Sequence, residues 1–205
     1  MCALVQTSVH RPKLMNLRIT LTKEDARNVY FPHHDHLVID TQITNKRVSR
    51  VLVDNGSFAN LLFKLTFTAI GLTEVELDSC LAQIYDFNGD SLLQMGKIQL
   101  PITLGNDAQN TFKYYTFVVV DCPIAYNVIF GHPALVDFGV VTSIRHLYLK
   151  FPCDNDGLGT IWGDQKNAQK CSQVSSRSIF MVREEPLEEE DVAPISQPQP
   201  ARGMV

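Results

Sequence analysis

The strongest candidate for chemistry in this sequence is the tetrapeptide Asp54-Asn55-Gly56-Ser57, which lies between two apolar segments. Residues 48–53 read VSRVLV and residues 58–63 read FANLLF. A carboxylate between two buried segments is costly unless hydrogen bonds or a second charge compensate for the lost water. The open, donor-rich residues that follow Asp54 can supply such bonds. The pattern therefore predicts a carboxylate held rigidly at the end of a buried strand.

The same four residues also have a purely structural interpretation. Asp-Asn-Gly is a favourable tight-turn sequence, and Asn-Gly between apolar runs is a strong hairpin signal. On the tetrapeptide alone the turn is favoured, so the rest of the chain has to decide between the two interpretations.

A second cluster of chemically active side chains is His33-His34-Asp35-His36, whose residue types are those of metal ligands. The cluster precedes a predicted strand and has no further group at ligand spacing, so we interpret it as a polar loop leading into that strand. The sequence also lacks a glycine-rich phosphate loop and a Gly-x-Ser-x-Gly nucleophile elbow. We therefore predict no metal site and no cofactor.

Short strands separated by turns are predicted for most of the chain from residue 37 to residue 151. This spacing indicates an all-β sandwich or barrel, mainly β with one or two short helices. The predicted strands cover residues 37–43, 48–53, 81–87, 91–100, 100–104, 111–120, 126–130 and 140–151, and the predicted helices cover residues 61–70 and 133–139.

Composition sets limits on the class of protein. The 205 residues, 45% hydrophobic and 20% charged, are typical of one soluble domain with appendages. The formal net charge of −4 gives no basic footprint for nucleic acid. No apolar stretch approaches the roughly 20 residues that span a bilayer, and the N-terminus does not read as a secretory signal. The five cysteines include no Cys-x-x-Cys pair, so we expect reduced thiols in a cytosolic setting.

Three features follow one another along the chain: Asp54-Asn55-Gly56-Ser57, a glycine-tipped hairpin at Phe87-Asn88-Gly89, and an apolar strand ending in Ile129-Phe130-Gly131. In this order the sequence resembles the retropepsin-type aspartic proteases. The likeness is greatest to the protease segment of plant gypsy-class retrotransposon polyproteins. It runs from about His33 to about Cys171.

The resemblance implies a closed β-barrel of the acid protease kind and an aspartic endopeptidase activity. Because the chain has one Asp-x-Gly-Ser in a strand–turn setting, it implies a homodimer in which the two Asp54 carboxylates activate a water molecule. Gly56 and Ser57 would orient those carboxylates. Asn55 stands where most aspartic proteases have Thr, and it can still donate and accept hydrogen bonds across the dimer axis.

The resemblance also assigns roles to two later segments. A flap that closes over an extended peptide or polyprotein substrate would contain Tyr85, Phe87, Asn88 and Gly89. The segment Ile129-Phe130-Gly131 would cross behind the catalytic loop and brace it. The expected location is the cytoplasm, including retrotransposon particles.

The sequence divides into an N-terminal leader at residues 1–32, a retropepsin-like domain at residues 33–152, and a connector with a disordered acidic tail at residues 153–205. Two alternatives to an active protease stay open. One is a dimerisation or peptide-binding module that keeps the fold without useful turnover, and the other is a cellular retropepsin-like domain of the ubiquitin-shuttle kind.

Overall fold

The computed structural model describes residues 19–20, 22–26, 28–79, 92–155 and 157–179, with the side chains of the last helix described as far as residue 173. Within these ranges the chain forms nine strands and three α-helices, together with short 3-10 helices at Lys23–Ala26 and Glu74–Glu76. In chain order the main elements are β1 (Val38–Ile43), β2 (Lys46–Val53), β3 (Leu61–Phe63), α1 (Lys64–Ala69), β4 (Gln94–Gly105), β5 (Asn110–Val120), β6 (Val128–Phe130), α2 (His132–Asp137), β7 (Val141–Ser143), β8 (Tyr148–Pro152), β9 (Leu158–Trp162) and α3 (Gln165–Ile179).

Six of these strands form a closed barrel in the order β1-β2-β6-β3-β5-β4, which β1 closes by pairing with β4. The apolar interior of the barrel follows from the alternation of side chains along each strand, because every second residue points to the same face. On β4 the inward residues are Ile98, Leu100, Ile102 and Leu104, all buried. The predicted fold class, mainly β with a closed barrel and a few short helices, is confirmed.

The position of β6 determines where the candidate site lies. This strand runs parallel to β2, with Phe130 opposite Val53, and antiparallel to β3, with Val128 opposite Leu62. It therefore lies between two strands that follow one another in the sequence. The loop that joins them, residues 54–60, has to pass over the end of β6.

The remaining strands form a second sheet in the order β7-β8-β9, which is followed by α3. The backbone N–H of Asp164 donates to the carbonyl of Val38 at 2.7 Å, and Ala168 and Cys171 are buried in a cluster with Val38. Part of the segment after residue 152, assigned above to a connector, is thus folded against the barrel. The domain boundaries themselves stay a prediction.

Two predicted elements differ in the structure. The segment predicted as a helix at residues 61–70 begins instead as β3 and becomes helical only at Lys64, because Leu61–Phe63 fills a buried place between β5 and β6. Short apolar runs do not distinguish a buried strand from a helix. The strand predicted at residues 140–151 is a hairpin of β7 and β8. The strand predicted at residues 81–87 lies outside the described residues.

Within the described ranges, Cys153 and Cys171 are buried free thiols. Burial raises the pKa of the Cys153 and Cys171 thiols. Among the helices that the structure describes, none combines the length and the apolar character that a membrane crossing requires.

Candidate active site

Asp54 is the first residue after β2, and the barrel fixes its backbone. Its N–H donates to the carbonyl of Phe130 at 2.9 Å, which extends the parallel pairing of β2 with β6 by one residue. The side chain is partly buried at the rim of the barrel. The position of this carboxylate is therefore set by the sheet and not by a flexible turn.

The loop after Asp54 provides a donor to its carboxylate. The backbone N–H of Gly56 donates to Asp54 Oδ1 at 2.9 Å. A Cβ atom on Gly56 would lie 3.3 Å from the same oxygen, so a glycine leaves room for this close approach. Such a bond fixes the orientation of the carboxylate.

Ser57 supports the loop through its own backbone and hydroxyl. Its N–H donates to the backbone carbonyl of Asp54 at 3.4 Å, and its Oγ donates to the carbonyl of Ala59 at 2.8 Å. These two bonds of Ser57 are with the loop backbone, whereas Gly56 contacts the carboxylate itself.

Gly131, directly after β6, packs against the underside of this loop. A Cβ atom there would lie 2.3 Å from the carbonyl oxygen of Ala59 and 2.7 Å from that of Ser57, so any side chain at this position would force the loop backbone to shift. The next residue, His132, donates its backbone N–H to the Ser57 carbonyl at 2.8 Å. The structure therefore brings Ile129-Phe130-Gly131 into contact with the Asp54 loop.

Asn60 is a site residue whose role the sequence interpretation missed. It is 5% exposed, and its Oδ1 accepts the backbone N–H of Gly131 at 3.0 Å. Its Nδ2 donates to the carbonyl of Thr116 on β5 at 3.4 Å. The signal was present in the sequence, because Asn60 is the one polar side chain in the apolar run FANLLF.

Two residues of the loop face solvent in the single chain. Asn55 is exposed, and Phe58 is 94% exposed. Both side chains lie at the surface of the loop that carries Asp54. The sequence interpretation gave Asn55 a role at a dimer axis but gave Phe58 none.

A cavity of about 930 Å³ opens beside Asp54. Its size falls within the range of ligand-binding clefts. The end of β2 forms one side, the segment from Phe31 to Leu37 forms a wall, and Ile144 and Arg145 come from the turn between β7 and β8. The His33-His34-Asp35-His36 loop, predicted as a polar lead into β1, therefore borders the candidate catalytic carboxylate.

Three contacts hold the wall of the cavity to the rest of the protein. His33 Nε2 lies 3.0 Å from the carbonyl of Arg145, and His36 Nδ1 lies 2.8 Å from the hydroxyl of Tyr126. Burial raises the pKa of Tyr126, so this phenol stays neutral as a hydrogen-bond partner. The third contact comes from α3, where the Gln165 amide bonds both the N–H and the carbonyl of Tyr30.

The predicted flap residues, Tyr85, Phe87, Asn88 and Gly89, lie outside the described residues. Their role stays a prediction. The part of the chain that is described contains no group of three or more His, Cys, Asp or Glu side chains arranged to hold a metal ion.

No protein-family model matches the chain, and no curated protein matches it. Similar solved structures include the retroviral protease-like domain of Ddi1 from Leishmania major, with 20% identity and a TM-score of 0.48 over 64% of this chain and 96% of that chain. The EIAV protease in complex with the inhibitor HBY-793 has 16% identity and a TM-score of 0.41 over 56% of this chain and 99% of that chain. A retropepsin-like aspartic protease from Rickettsia conorii has 16% identity and a TM-score of 0.40 over 62% of this chain and 81% of that chain.

The similar structures are thus retropepsin-like proteases. Catalysis and dimerisation depend on the residues around Asp54.

Proposed function

We propose that the chain is an aspartic endopeptidase of the retropepsin type, active as a homodimer with one Asp54 from each subunit. The observation that carries this proposal is the way Asp54 is held. Its backbone is bonded to β6, its carboxylate accepts the Gly56 N–H, and it borders an open cavity. A preorganised carboxylate beside a cleft is what a carboxylate-based hydrolase requires.

The mechanism uses two carboxylates that share one proton. Held close together, they cannot both ionise, so one is a base while the other is an acid. The base takes a proton from a water molecule as that water attacks the scissile carbonyl carbon, and the acid protonates the leaving amine. The Gly56 N–H of each subunit fixes the carboxylate orientation during both steps.

The single copy of the motif makes the dimer a requirement of this mechanism. A two-fold axis that passes near Asp54 would bring the same residue from each subunit together. Asn55 and Phe58, both exposed on the loop, would then face the partner.

The substrate we propose is an extended peptide segment within a polyprotein. The sequence resemblance to plant gypsy-class elements further suggests a retrotransposon protease that acts in the cytoplasm, including in particles. Retrotransposon origin and location are the parts of the proposal that rest on that resemblance alone.

The first experiment measures cleavage of an unstructured protein substrate at mildly acidic pH, with and without pepstatin. Asp54→Asn should abolish cleavage, because the amide can neither share the proton nor accept it from water. Asp107→Asn, a matched change at an exposed turn residue, should leave cleavage unchanged. Undiminished turnover by the Asp54 variant would remove this residue from the mechanism.

A mixing experiment tests the shared site. When wild-type and Asp54→Asn chains are mixed equally and exchange subunits, about one quarter of the dimers contain two wild-type chains. Activity per total dimer should fall to about that fraction if both carboxylates are needed. A fall to one half would mean that each chain works alone.

A second candidate function, a peptide-binding dimer without turnover, is favoured by one observation. Asn55 occupies the exposed loop position that a Thr hydroxyl occupies in most aspartic proteases, and its longer amide alters any contact across the axis. The variant Asn55→Thr separates the two functions. Cleavage that appears only in Asn55→Thr would identify the natural chain as the binding module.

A further inference from the structure

The cavity beside Asp54 is lined by a cation that forms no ion pair with any carboxylate of the described residues. Arg145 lies in the turn between β7 and β8 and lines this cavity. Among the described residues, no carboxylate oxygen lies within 4 Å of its guanidinium, whereas the guanidinium of Arg47 on β2 is paired with Asp40 at 3.1 Å. An exposed guanidinium with five donors is well suited to a carboxylate ligand.

The guanidinium is also held in place. Its Cζ atom lies 5.5 Å from the centre of the Phe31 ring, a cation–π arrangement. Phe31 in turn lies 5.2 Å, ring centre to ring centre, from His33, whose Nε2 contacts the backbone carbonyl of Arg145 at 3.0 Å. This cation–π contact holds the guanidinium against the Phe31 ring, and the N–H groups of an exposed guanidinium can still donate to a ligand.

The two carboxylates that line the same cavity have other partners. Asp35 Oδ2 accepts hydrogen bonds from Gln165 at 2.8 Å and from Gln169 at 3.2 Å, both on α3. Asp54 Oδ1 accepts the Gly56 N–H. The cation at the Arg145 side of the cavity is therefore available to a ligand from outside.

We propose that Arg145 is a specificity-determining residue that selects peptides carrying an acidic side chain in the cavity beside Asp54. This inference rests on the proposed function, because it describes the substrate of that site. The chemistry is that of a carboxylate on an extended peptide, bound by the guanidinium edge.

The chain itself contains one source of such a peptide. Residues 184–191 read EEPLEEED, in which six of eight side chains are carboxylates. A peptide covering residues 183–195 is therefore the probe, and its matched control replaces each Glu by Gln and the Asp by Asn. A second acidic peptide of unrelated sequence distinguishes a general preference for carboxylates from recognition of this segment.

The test measures two quantities with the full chain. The first is kcat/KM for each acidic peptide and its neutral control, and the second is binding of the same peptides to the Asp54→Asn chain by fluorescence anisotropy. We expect the acidic peptides to be preferred by about tenfold, the effect of a charge-assisted hydrogen bond. Arg145→Gln should remove the preference and Arg145→Glu should reverse it, whereas Arg47→Gln should preserve it.

The outcomes separate the inference from the proposed function. If peptides are cleaved but acidic and neutral ones equally, the inference fails while the protease assignment stands. If nothing is cleaved but the Asp54→Asn chain binds acidic peptides in an Arg145-dependent way, the inference stands while the protease assignment fails. Equal binding of both kinds of peptide overturns the inference in either case.

A further arm distinguishes the chain's own segment from an external substrate. In this arm the carboxylates of residues 184–191 are neutralised within the full chain. If that segment occupies the cavity, the neutralised chain should bind the free 183–195 peptide more tightly than the parent does. Unchanged affinity, together with a retained Arg145-dependent preference, assigns the cavity to external acidic peptides.

Discussion

The backbone N–H of Gly131 donates to the side-chain oxygen of Asn60 at 3.0 Å, and both residues are buried. This bond joins the end of β6 to the end of the loop that carries Asp54. Gly131 follows the last residue of β6, so its N–H does not pair within the sheet. The Asn60 oxygen gives this buried N–H the partner that it would otherwise lack. The loop that carries Asp54 is therefore anchored at both ends, by Asp54 and by Asn60.

We expect Asn60→Ala to destabilise the protein. The change leaves the Gly131 N–H buried and unpaired, which costs about 2 kcal/mol of unfolding free energy. Urea denaturation followed by fluorescence measures the effect. The exposed amide of Gln99 on β4 is the control, since Gln99→Ala should change the unfolding free energy by less than about 0.5 kcal/mol. Equal stability of the Asn60 variant and wild type would show that this bond does not anchor the loop.

Gly131→Ala tests the close packing below the loop. The added methyl group would meet the carbonyl oxygens of Ala59 and Ser57 at distances no pair of atoms can keep, so the loop has to move. We expect a loss of about 1–3 kcal/mol of stability. Cleavage should fall about 100-fold as Asp54 shifts, because small displacements of reacting groups are that costly.

The control for this change is Gly157→Ala, where the nearest atom to the new methyl group is 3.4 Å away. Circular dichroism melting and kcat/KM should both be close to wild type in that variant. A Gly131 variant with normal activity would mean that the loop relaxes without moving the carboxylate.

The sequence allowed Asp54 and its loop to be predicted because their signal is local. An acidic residue and a glycine between two buried segments can be recognised without knowing what packs beside them. The all-β class, a sandwich or a barrel, could likewise be predicted from alternating strands and turn residues, whereas the choice of a closed barrel came from the resemblance to the retropepsin-type proteases. The insertion of β6 between β2 and β3 could not, since nothing in residues 128–130 specifies which strands they pair with.

The sequence did not predict the wall of the cavity either, because the contacts that form it join residues far apart in the chain. Gln165 contacts Tyr30 across 135 positions of sequence, and His33 contacts Arg145 across 112. Such contacts follow from tertiary packing and leave no periodic pattern. Asn60 is the intermediate case, because a lone amide in an apolar run signals a buried hydrogen bond but does not identify its partner.

Tyr115 provides a prediction about pH. Its ring is buried, at 7% exposure, and its hydroxyl donates to Asp137 Oδ2 at 2.6 Å. Burial, reinforced by the Asp137 carboxylate, raises the pKa of Tyr115 well above its usual value of 10.0. Above pH 10 the unfolded chain loses this proton while the folded chain keeps it, so stability falls as pH rises.

Tyr115→Phe should remove both the hydrogen bond to Asp137 and the loss of stability that follows from the raised pKa of Tyr115. At pH 7 to 9 the variant should be less stable by about 1 kcal/mol, owing to the lost hydrogen bond. Above pH 10 the stability of wild type should fall faster, by up to about 1.4 kcal/mol per pH unit, so that the difference narrows. Burial also raises the pKa of Tyr126 and Tyr148, but both are present in the two proteins. If the difference in unfolding free energy between wild type and Tyr115→Phe stayed constant from pH 8 to pH 11, the pKa of Tyr115 would not be the cause of the pH dependence.

The exposed ring of Phe58 makes the most direct prediction about the dimer. It lies four residues after Asp54 and is 94% exposed in the single chain. In the proposed dimer, this loop would contact the same loop of the partner subunit near the two-fold axis. A buried aromatic anchor near the centre of an interface commonly contributes more than 1 kcal/mol of binding energy. Phe58→Ser should therefore raise the dimer dissociation constant about tenfold or more, as measured by sedimentation equilibrium.

Val75 supplies the matched control, because it is 93% exposed on the 3-10 helix at Glu74–Glu76. If general loss of surface hydrophobicity weakened association, Val75→Ser would have the same effect as Phe58→Ser. If Phe58 lies at the interface, only the Phe58 variant should dissociate, and its activity should recover at higher protein concentration because mass action restores the pair of carboxylates. Activity that is lost at every concentration while the dimer persists would instead assign Phe58 to the substrate cleft.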